Sequence, residues 1–543
     1  MADNASTGGE LKPTLGLTGI TINAMALIAP GAFLWTTFQE QSGYGFASMW
    51  LSVVIATIIA LLTASCYAVL SKQYPQAGAG SSYFYAEAAF LEKESHDHFK
   101  LARVAKLIVG LAAHLYYWVY PAVMVSFMGT VIVFIVQQFN PALLTAPWQQ
   151  IGVCCLFAAI VGVIAFIGVN GSTVTNVIIN IVQILSLVLV SVLAISYRLG
   201  HPGVNYFHPS FAHVLSPGKP IELLFQSTIS ILLVVGFESA TALAAEAKNP
   251  KKDIPRGVIL SLVIQGVIFY FFEYFAANAF IGDQYAGAVD KSGANFTLID
   301  PSKVTAITDP SLDQKVYAGG SIVKNFAASA ADSAPIGSFS HILGNSFFHG
   351  AGQPFELIMA ATVVLALLGT TLSCLNTAVR VTYAMGKDQE LPGIFGGLHG
   401  KTNTPHNAII LLTIISGIVG GYGVLSADHL LQITLISNLG TFLLYGLTCI
   451  ATYIAFSHVA DANPITTKVI PVIGVIGNFG LMIADIYFAF FVSTATPATI
   501  LDTKIALGVS AGFMVLAFVW LAMRSAAMKQ PMFLPHDHKE SIA

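Results

Sequence analysis

Glu238 is a carboxylate set in an apolar run, and chemistry is most legible around it. The stretch Leu232–Arg256 reads LLVVGFESATALAAEAKNPKKDIPR, so Gly236, Phe237 and Glu238 interrupt an apolar segment that then enters a basic, proline-punctuated loop. A carboxylate at membrane depth is costly, so it is expected to face a protein interior or a watery path and to mark a functional site. Three roles suit it: neutralising a cationic group on a substrate, carrying a proton between states, or bracing helix one by hydrogen bonding. Gly236 weakens the helix beside it, where a ligand could meet backbone. Two more carboxylates lie in apolar runs. Glu273 falls near one end of its run and suggests an interfacial contact, whereas Asp485 suggests an oligomer contact or a brace.

These residues must be held by membrane-spanning elements. The chain has 543 residues, of which 55% are hydrophobic and 9% charged, and its mean hydropathy is +0.74. Soluble domains carry about 25% charged residues, so this chain could not cover itself for water. Apolar runs long enough to cross the hydrocarbon recur at 15–36, 46–71, 105–138, 149–169, 174–197, 223–246, 257–281, 355–384, 406–424, 429–455, 470–492 and 503–525. No alternating pattern suggests a barrel, so an all-α membrane protein with twelve transmembrane helices is expected. No cleavable leader is read at the N-terminus. The net charge of −3 offers no basic face for nucleic acid. All five cysteines fall in spans and read as small buried side chains rather than a disulfide or metal set.

Lys and Arg placement orients the chain. With the N-terminus inside, 17 of these residues fall on the cytoplasmic side and seven outside, four of the latter in one long loop. Both termini are therefore expected in the cytoplasm of a cell-membrane protein. Residues 1–14 and 526–543 read as short tails flanking one transporter domain over 15–525, with loop 282–354 outside as a cap or lid. Span one contains Ala29-Pro30-Gly31 about two thirds of the way across, and span six has its weak point at Gly236. Proline lacks an N–H and glycine tolerates non-helical angles, so both helices should break. Two interrupted helices five spans apart point to an inverted-repeat transporter with its substrate at the midplane. Packing kinks are the competing reading.

Three stretches carry a family resemblance. GFESATALAAEAKNPKKDIPRGV of span six, LSCLNTAVRVTYAMGKDQELPGIFGGLHGKTNTPHN from Leu372 to Asn407, and YPQAGAGSSYFY from Tyr74 to Tyr85 resemble the amino acid–polyamine–organocation permease superfamily in order and spacing. The resemblance implies a 5+5 inverted repeat, here about 15–197 and 223–455, with discontinuous helices 1 and 6, two extra helices and alternating access. It implies that backbone amides at the helix-1 break, matching Ile28, Ala29, Pro30, Gly31 and Ala32, hold a substrate carboxylate. The helix-6 break, matching Val234, Val235, Gly236, Phe237 and Glu238, would hold the amino group. Helix ends favour this, since a half-helix N-terminus attracts anions and freed carbonyls attract ammonium. The resemblance also brings Tyr116 and Tyr117 of span three to the pocket, with His114 beside them as a possible proton relay.

The chain departs from the family pattern at two points. Pro30 removes one amide from the carboxylate cradle, which keeps simple amines and polyamines in contention beside α-amino acids. Gln183 stands where proton-coupled relatives place a lysine, and a glutamine cannot titrate. Thr370, Thr371 and Ser373 of span eight could supply oxygens to a sodium ion, or hydrogen-bond their own helix. The expected function is secondary transport of amino acids, with organic amine transport as the alternative and coupling to a proton or sodium, or exchange, left open. A nutrient sensor on a transporter fold is the alternative of another class, weakened by the short tails. No His-Glu-x-x-His helix, paired intramembrane aspartates, nucleophile elbow or P-loop suggests an enzyme or an ATP-driven pump. No cofactor or metal is implied. The partners are the bilayer and a small solute, with the oligomeric state open.

Overall fold

The computed structural model describes residues 15–28, 30–42, 49–75, 81–91, 100–167, 173–200, 219–280, 287–289, 296–298, 315–317, 332–388, 390–399, 404–457, 459, 462–492 and 497–528. Span one comprises α1 (Leu17–Ile28) and α2 (Pro30–Ser42). Span two is α3 (Met49–Gln73), followed by the short α4 (Ser82–Leu91). Spans three to five are α5 (Lys100–Phe139), α6 (Pro147–Ile167) and α7 (Thr173–Gly200). Span six begins as α8 (Lys219–Ser230), tightens into a 3-10 turn over Ile231–Leu233 and resumes as a 3-10 helix over Phe237–Glu246. Span seven is α9 (Pro250–Phe280). The remaining spans are α11 (Gly352–Lys387), α12 (His406–Gly423), α13 (Ala427–Ala455), α14 (Ile470–Phe491) and α15 (Pro497–Met528). Ten helices of the described residues are long and apolar enough to cross a membrane. Span one, in its two pieces, and α9 complete the expected twelve.

Within 282–354 the chain departs from an all-helical reading. Three short strands, β1 (Gly287–Val289), β2 (Phe296–Leu298) and β3 (Lys315–Tyr317), form an antiparallel sheet in the order β2-β1-β3. They are followed by α10 (Pro335–Phe347), which seats on α2 and α11. Phe339 meets Phe38 edge-on at 5.3 Å, and Gly337 lies against the rings of Trp35 and Phe134. Asp332 holds the start of α10, accepting from the Ala334 amide (2.8 Å) and the Ser338 hydroxyl (2.5 Å). His341 pairs with Glu356 of α11 at 3.0 Å.

Outward-facing residues on the helices are large and apolar. Leu156, Val163, Leu185, Ile418, Ile476 and Leu516 are each about half exposed or more, as a lipid-facing rim requires. Cys155 joins that rim and is exposed, while the other four cysteines are buried. Its place on the outer face of α6 overrides the expectation that all five are interior. The core is a ring of small and aromatic residues between the spans. Gly440 of α13 sits so close to α5 that a Cβ there would meet the Tyr116 amide nitrogen at 2.5 Å.

Of the two suspected weak points, Gly236 marks a change of backbone course. Ala29 lies outside the described residues, as do the side chains of Pro30, Ala32, Phe33 and Glu273. The carbonyls ahead of it are nonetheless informative. Residue 30 has no amide to return to the Ala26 carbonyl, and the Thr370 hydroxyl of α11 donates to that carbonyl at 3.0 Å instead. The Met25 carbonyl likewise accepts from the Gln265 side chain of α9 at 3.2 Å. In span six the Ile231 carbonyl takes both the Val234 (3.0 Å) and Val235 (3.2 Å) amides, and Gly236 adopts a left-handed φ of 109°. A Cβ at Gly236 would lie 2.9 Å from Leu27 Cγ and 3.1 Å from the Leu27 carbonyl carbon. Only glycine suits that conformation and that contact.

Gly236→Ala is therefore expected to cost about 1–3 kcal/mol from backbone strain alone, with the Leu27 clash added. Thermal unfolding of the purified protein in detergent should show a clear drop in midpoint, larger than for Gly508→Ala, where a Cβ meets nothing within 4 Å.

Candidate functional site

Glu238 begins the 3-10 helix two residues beyond the positive-φ glycine and is fully buried. Its carboxylate is gripped by three donors. Tyr117 of α5 donates to Oε1 at 2.9 Å, Tyr445 of α13 to Oε2 at 2.6 Å, and the Gly236 amide to Oε2 at 3.0 Å. Hydrogen bonds to an ionised group are worth about 1.5–3 kcal/mol each, which offsets the cost of burying the charge. The carboxylate thus caps its own broken helix and ties it to spans three and ten. Of the bracing roles open to it, these partners show a tie to α5 and α13 rather than to span one.

An aromatic wall surrounds this knot. Phe237 and Tyr445 lie 5.3 Å apart, with Tyr67 of α3 edge-on to both, at 5.9 and 6.0 Å. Tyr116 stacks beside Tyr117 at 4.4 Å and Tyr120 at 5.0 Å. The Tyr67 hydroxyl pairs with Ser82 of α4, which also accepts from Thr448 of α13 at 3.0 Å. Thr241 reaches Ser81 at 2.9 Å and its own helix at the Glu238 carbonyl, 2.6 Å. Tyr116, Tyr117, Tyr445, Phe237 and Glu238 are all at most 2% exposed.

The sequence-derived residues separate into groups. Ile28, Val234, Val235, Gly236, Phe237, Glu238, Tyr116 and Tyr117 converge, because Gly236 packs directly on the backbone of Leu27 and Ile28. Ala29 and the side chains of Pro30 and Ala32 lie outside the described residues. Gln183 reaches the same region from α7: a Cβ on Gly31 would touch its Cγ at 2.8 Å, and its buried Nε2 has no partner. Thr370 joins through the Ala26 carbonyl. Thr371 donates to its own helix at Leu367 (2.6 Å), and the Ser373 carbonyl accepts from Thr377, so neither reaches the break through these bonds. His114 faces elsewhere. Its Nδ1 bonds the Gly110 carbonyl at 2.7 Å, Nε2 lies 3.4 Å from the Thr382 hydroxyl, and its ring meets Trp118 at 4.8 Å. Asn180 links α7 to the Ile22 carbonyl of α1 at 3.2 Å.

A family model described as amino acid permease matches residues 14–523, nearly the whole chain. The chain belongs to the amino acid permease family. It is 25% identical over 461 residues to a branched-chain amino acid permease of Bacillus subtilis (strain 168), covering 82% of each chain. It is 23% identical over 460 residues to a methylthioribose transporter of the same organism, covering 83% of this chain and 82% of the relative. It is also 23% identical over 435 residues to a low-affinity putrescine importer of Escherichia coli (strain K12), covering 78% of each. The protein is accordingly a multi-pass membrane transporter.

A second knot closes the end of the permease that bears the Lys- and Arg-rich loops. Lys106, in the second turn of α5, is completely buried between Glu87 of α4 (2.7 Å) and Asp388 at the end of α11 (2.6 Å). Tyr83 donates to Asp388 at 2.9 Å, and the rings of Tyr83 and Phe84 lie 4.8 and 5.0 Å from the ammonium. Nearby, Arg380 donates to the Ala242 carbonyl (3.2 Å) and approaches Glu246 (3.6 Å). A parallel bridge zips Leu15 to the end of span six, through Leu15 N–Glu246 O at 2.9 Å and Lys248 N–Leu15 O at 2.8 Å. Sequence reasoning missed Lys106, Glu87 and Tyr445. A lone lysine among apolar neighbours was the available signal for Lys106. Nothing local marks Tyr445 among nineteen tyrosines.

Removing one partner from a buried ion pair costs about 3–5 kcal/mol, so Lys106→Met should strongly lower the detergent unfolding midpoint. Adding Glu87→Gln and Asp388→Asn should recover most of that loss, because no charge is then left uncompensated. At the other knot, Glu238→Gln should reduce transport at least about tenfold, the equivalent of one lost charged hydrogen bond. Tyr445→Phe should be milder, since Tyr117 and the Gly236 amide still hold the carboxylate.

Proposed function

We propose that this permease is a secondary transporter of α-amino acids in the cell membrane, working by alternating access with both termini in the cytoplasm. The observation that carries the reading is the meeting of spans one and six at Gly236. Gly236 of span six rests on the backbone at the end of α1, and Glu238 stands two residues beyond it. Among the described residues no hydrogen bond occupies the carbonyls of Val234 or Val235, so they are suited to an ammonium group. The start of α2 supplies amides at Gly31, Ala32 and Phe33 for a carboxylate, with Gln183 Nε2 as a nearby donor. The aromatic wall would pack against an apolar side chain.

Organic amine transport remains a second reading on two specific grounds. Pro30 subtracts one amide from the anion cradle, and the chain is similar to a putrescine importer over most of its length. A diamine would place one ammonium at Glu238 but needs a second carboxylate, and no other carboxylate joins the Glu238 hydrogen-bond set. The family membership and the apolar rim support the membrane setting, and the Lys and Arg distribution supports the orientation.

Uptake by purified protein in liposomes tests this. A labelled branched-chain amino acid should enter and be competed by other α-amino acids, but not by putrescine or by amino acid amides lacking the carboxylate. Competition by amines with no effect of amino acids would replace the first reading with the second. Pro30→Ser restores an amide and should tighten carboxylate-bearing ligands by up to about tenfold, the value of a typical added hydrogen bond. Equal affinities in the two proteins would remove the cradle from the mechanism.

A further inference from the structure

Asp485 is a buried acid that the candidate substrate site does not use. It lies on the interior face of α14, about 9 Å from the Phe491 end at 1.5 Å per residue. It is 1% exposed, so it cannot be the oligomer contact that its span suggested. One turn further on, Phe488 stacks on Phe225 of α8 at 3.9 Å. That contact fixes the register of the two helices and brings Thr228 beside Asp485. On the third side, Asn438 of α13 donates to the Thr228 carbonyl at 2.7 Å.

Among the described residues this junction is poor in donors. The Thr228 hydroxyl already gives its proton to the Phe225 carbonyl at 2.7 Å. Neither Asp485 oxygen receives a hydrogen bond of normal geometry, and the Asn438 Oδ1 receives none either. The packed helices carry other titratable or charged groups: Glu222 on α8, Tyr67 on α3, Tyr445 and Cys449 on α13, and Asp502 and Lys504 on α15. None of them interacts with Asp485. Asp502 is instead held by Gln432 at 2.8 Å, and Lys504 lies over the Phe490 ring at 5.4 Å. Glu238, by contrast, has three donors. An isolated carboxylate without a donor or counter-charge costs several kcal/mol to bury, a cost that a neutral carboxylic acid avoids.

We propose that Asp485 is a proton-binding site that couples transport to a proton gradient through α8. The inference rests on the transporter reading above. With α8 packed on α14, Asp485 holds its proton and uses it to bond the surrounding oxygens. When the half of span six that contains Thr228 moves away, water reaches the group and the proton leaves. The two conformations thus differ in proton affinity, which is the condition for coupling. The ligand is the proton alone; a sodium ion would need a further set of oxygens around the carboxylate.

The test uses the full-length protein in liposomes, with substrate counterflow and net uptake measured in parallel. For the wild type, an inward proton gradient without sodium should drive accumulation, up to about tenfold per pH unit for one proton. Substrate addition should move protons, read by an internal pH dye. Asp485→Asn should lose both responses, while counterflow persists and no longer varies with pH. Glu40→Gln removes the other buried carboxylate without a partner, and should keep both responses. Where Asp485→Asn does not fold, Asp485→Glu and Thr228→Val serve, each shifting the pH midpoint of uptake. Gradient-driven uptake intact in Asp485→Asn, lost only in Glu40→Gln, driven by sodium alone, or absent in an otherwise exchanging wild type would overturn the proposal. No movement of any solute by folded wild-type protein would instead overturn the transporter reading.

Discussion

The structure depends on the need to satisfy polar groups where no water is available. Breaking two helices inside a bilayer frees amides and carbonyls that would each cost several kcal/mol if left alone. The permease meets this with side chains from distant spans. Thr370 takes the place of the amide that Pro30 lacks, Gln265 serves the Met25 carbonyl, and Glu238 folds back on the Gly236 amide. Each of these bonds joins a break to a helix far away in sequence. The backbone cannot change course at Gly236 without spans one, three, eight and ten in register around it.

Two charged knots divide the work between them. Glu238 carries one negative charge into the centre and distributes it over two tyrosines and a backbone amide. Lys106 carries one positive charge under the helix ends and shares it between two carboxylates and two rings. The first knot holds the place where a solute would sit. The second ties together α4, α5 and α11 at the end that bears the Lys- and Arg-rich loops. Because buried ion pairs are strongly geometry-dependent, such a tie is either made or broken, which suits a transporter that alternates between two states.

Carboxylates in the membrane behave differently according to their donors. Glu238 is surrounded by groups that give hydrogen bonds, whereas neither Asp485 oxygen receives one among the described residues. Residue type and depth are similar in the two cases. The neighbours decide whether the group is a fixed charge or a holder of protons, and those neighbours come from helices that only the fold brings together.

The number of spans, their helical nature, the missing amide at Pro30, the interruption at Gly236 and the embedded Glu238 were all legible in the chain. They arise from local rules: apolar run length, the missing proline amide, glycine's freedom at positive φ, and the cost of a charge in hydrocarbon. The tertiary structure decided which groups answer those local demands. It chose Tyr117 and Tyr445 for Glu238, buried Lys106 between Glu87 and Asp388, turned His114 away toward Thr382, and left Asp485 without a donor among the described residues. It also folded part of the long loop into a sheet and a helix seated on span one. Such choices depend on pairs hundreds of residues apart. A local pattern can state that a buried polar group needs a partner, but only the packing of the spans determines which side chain is within reach.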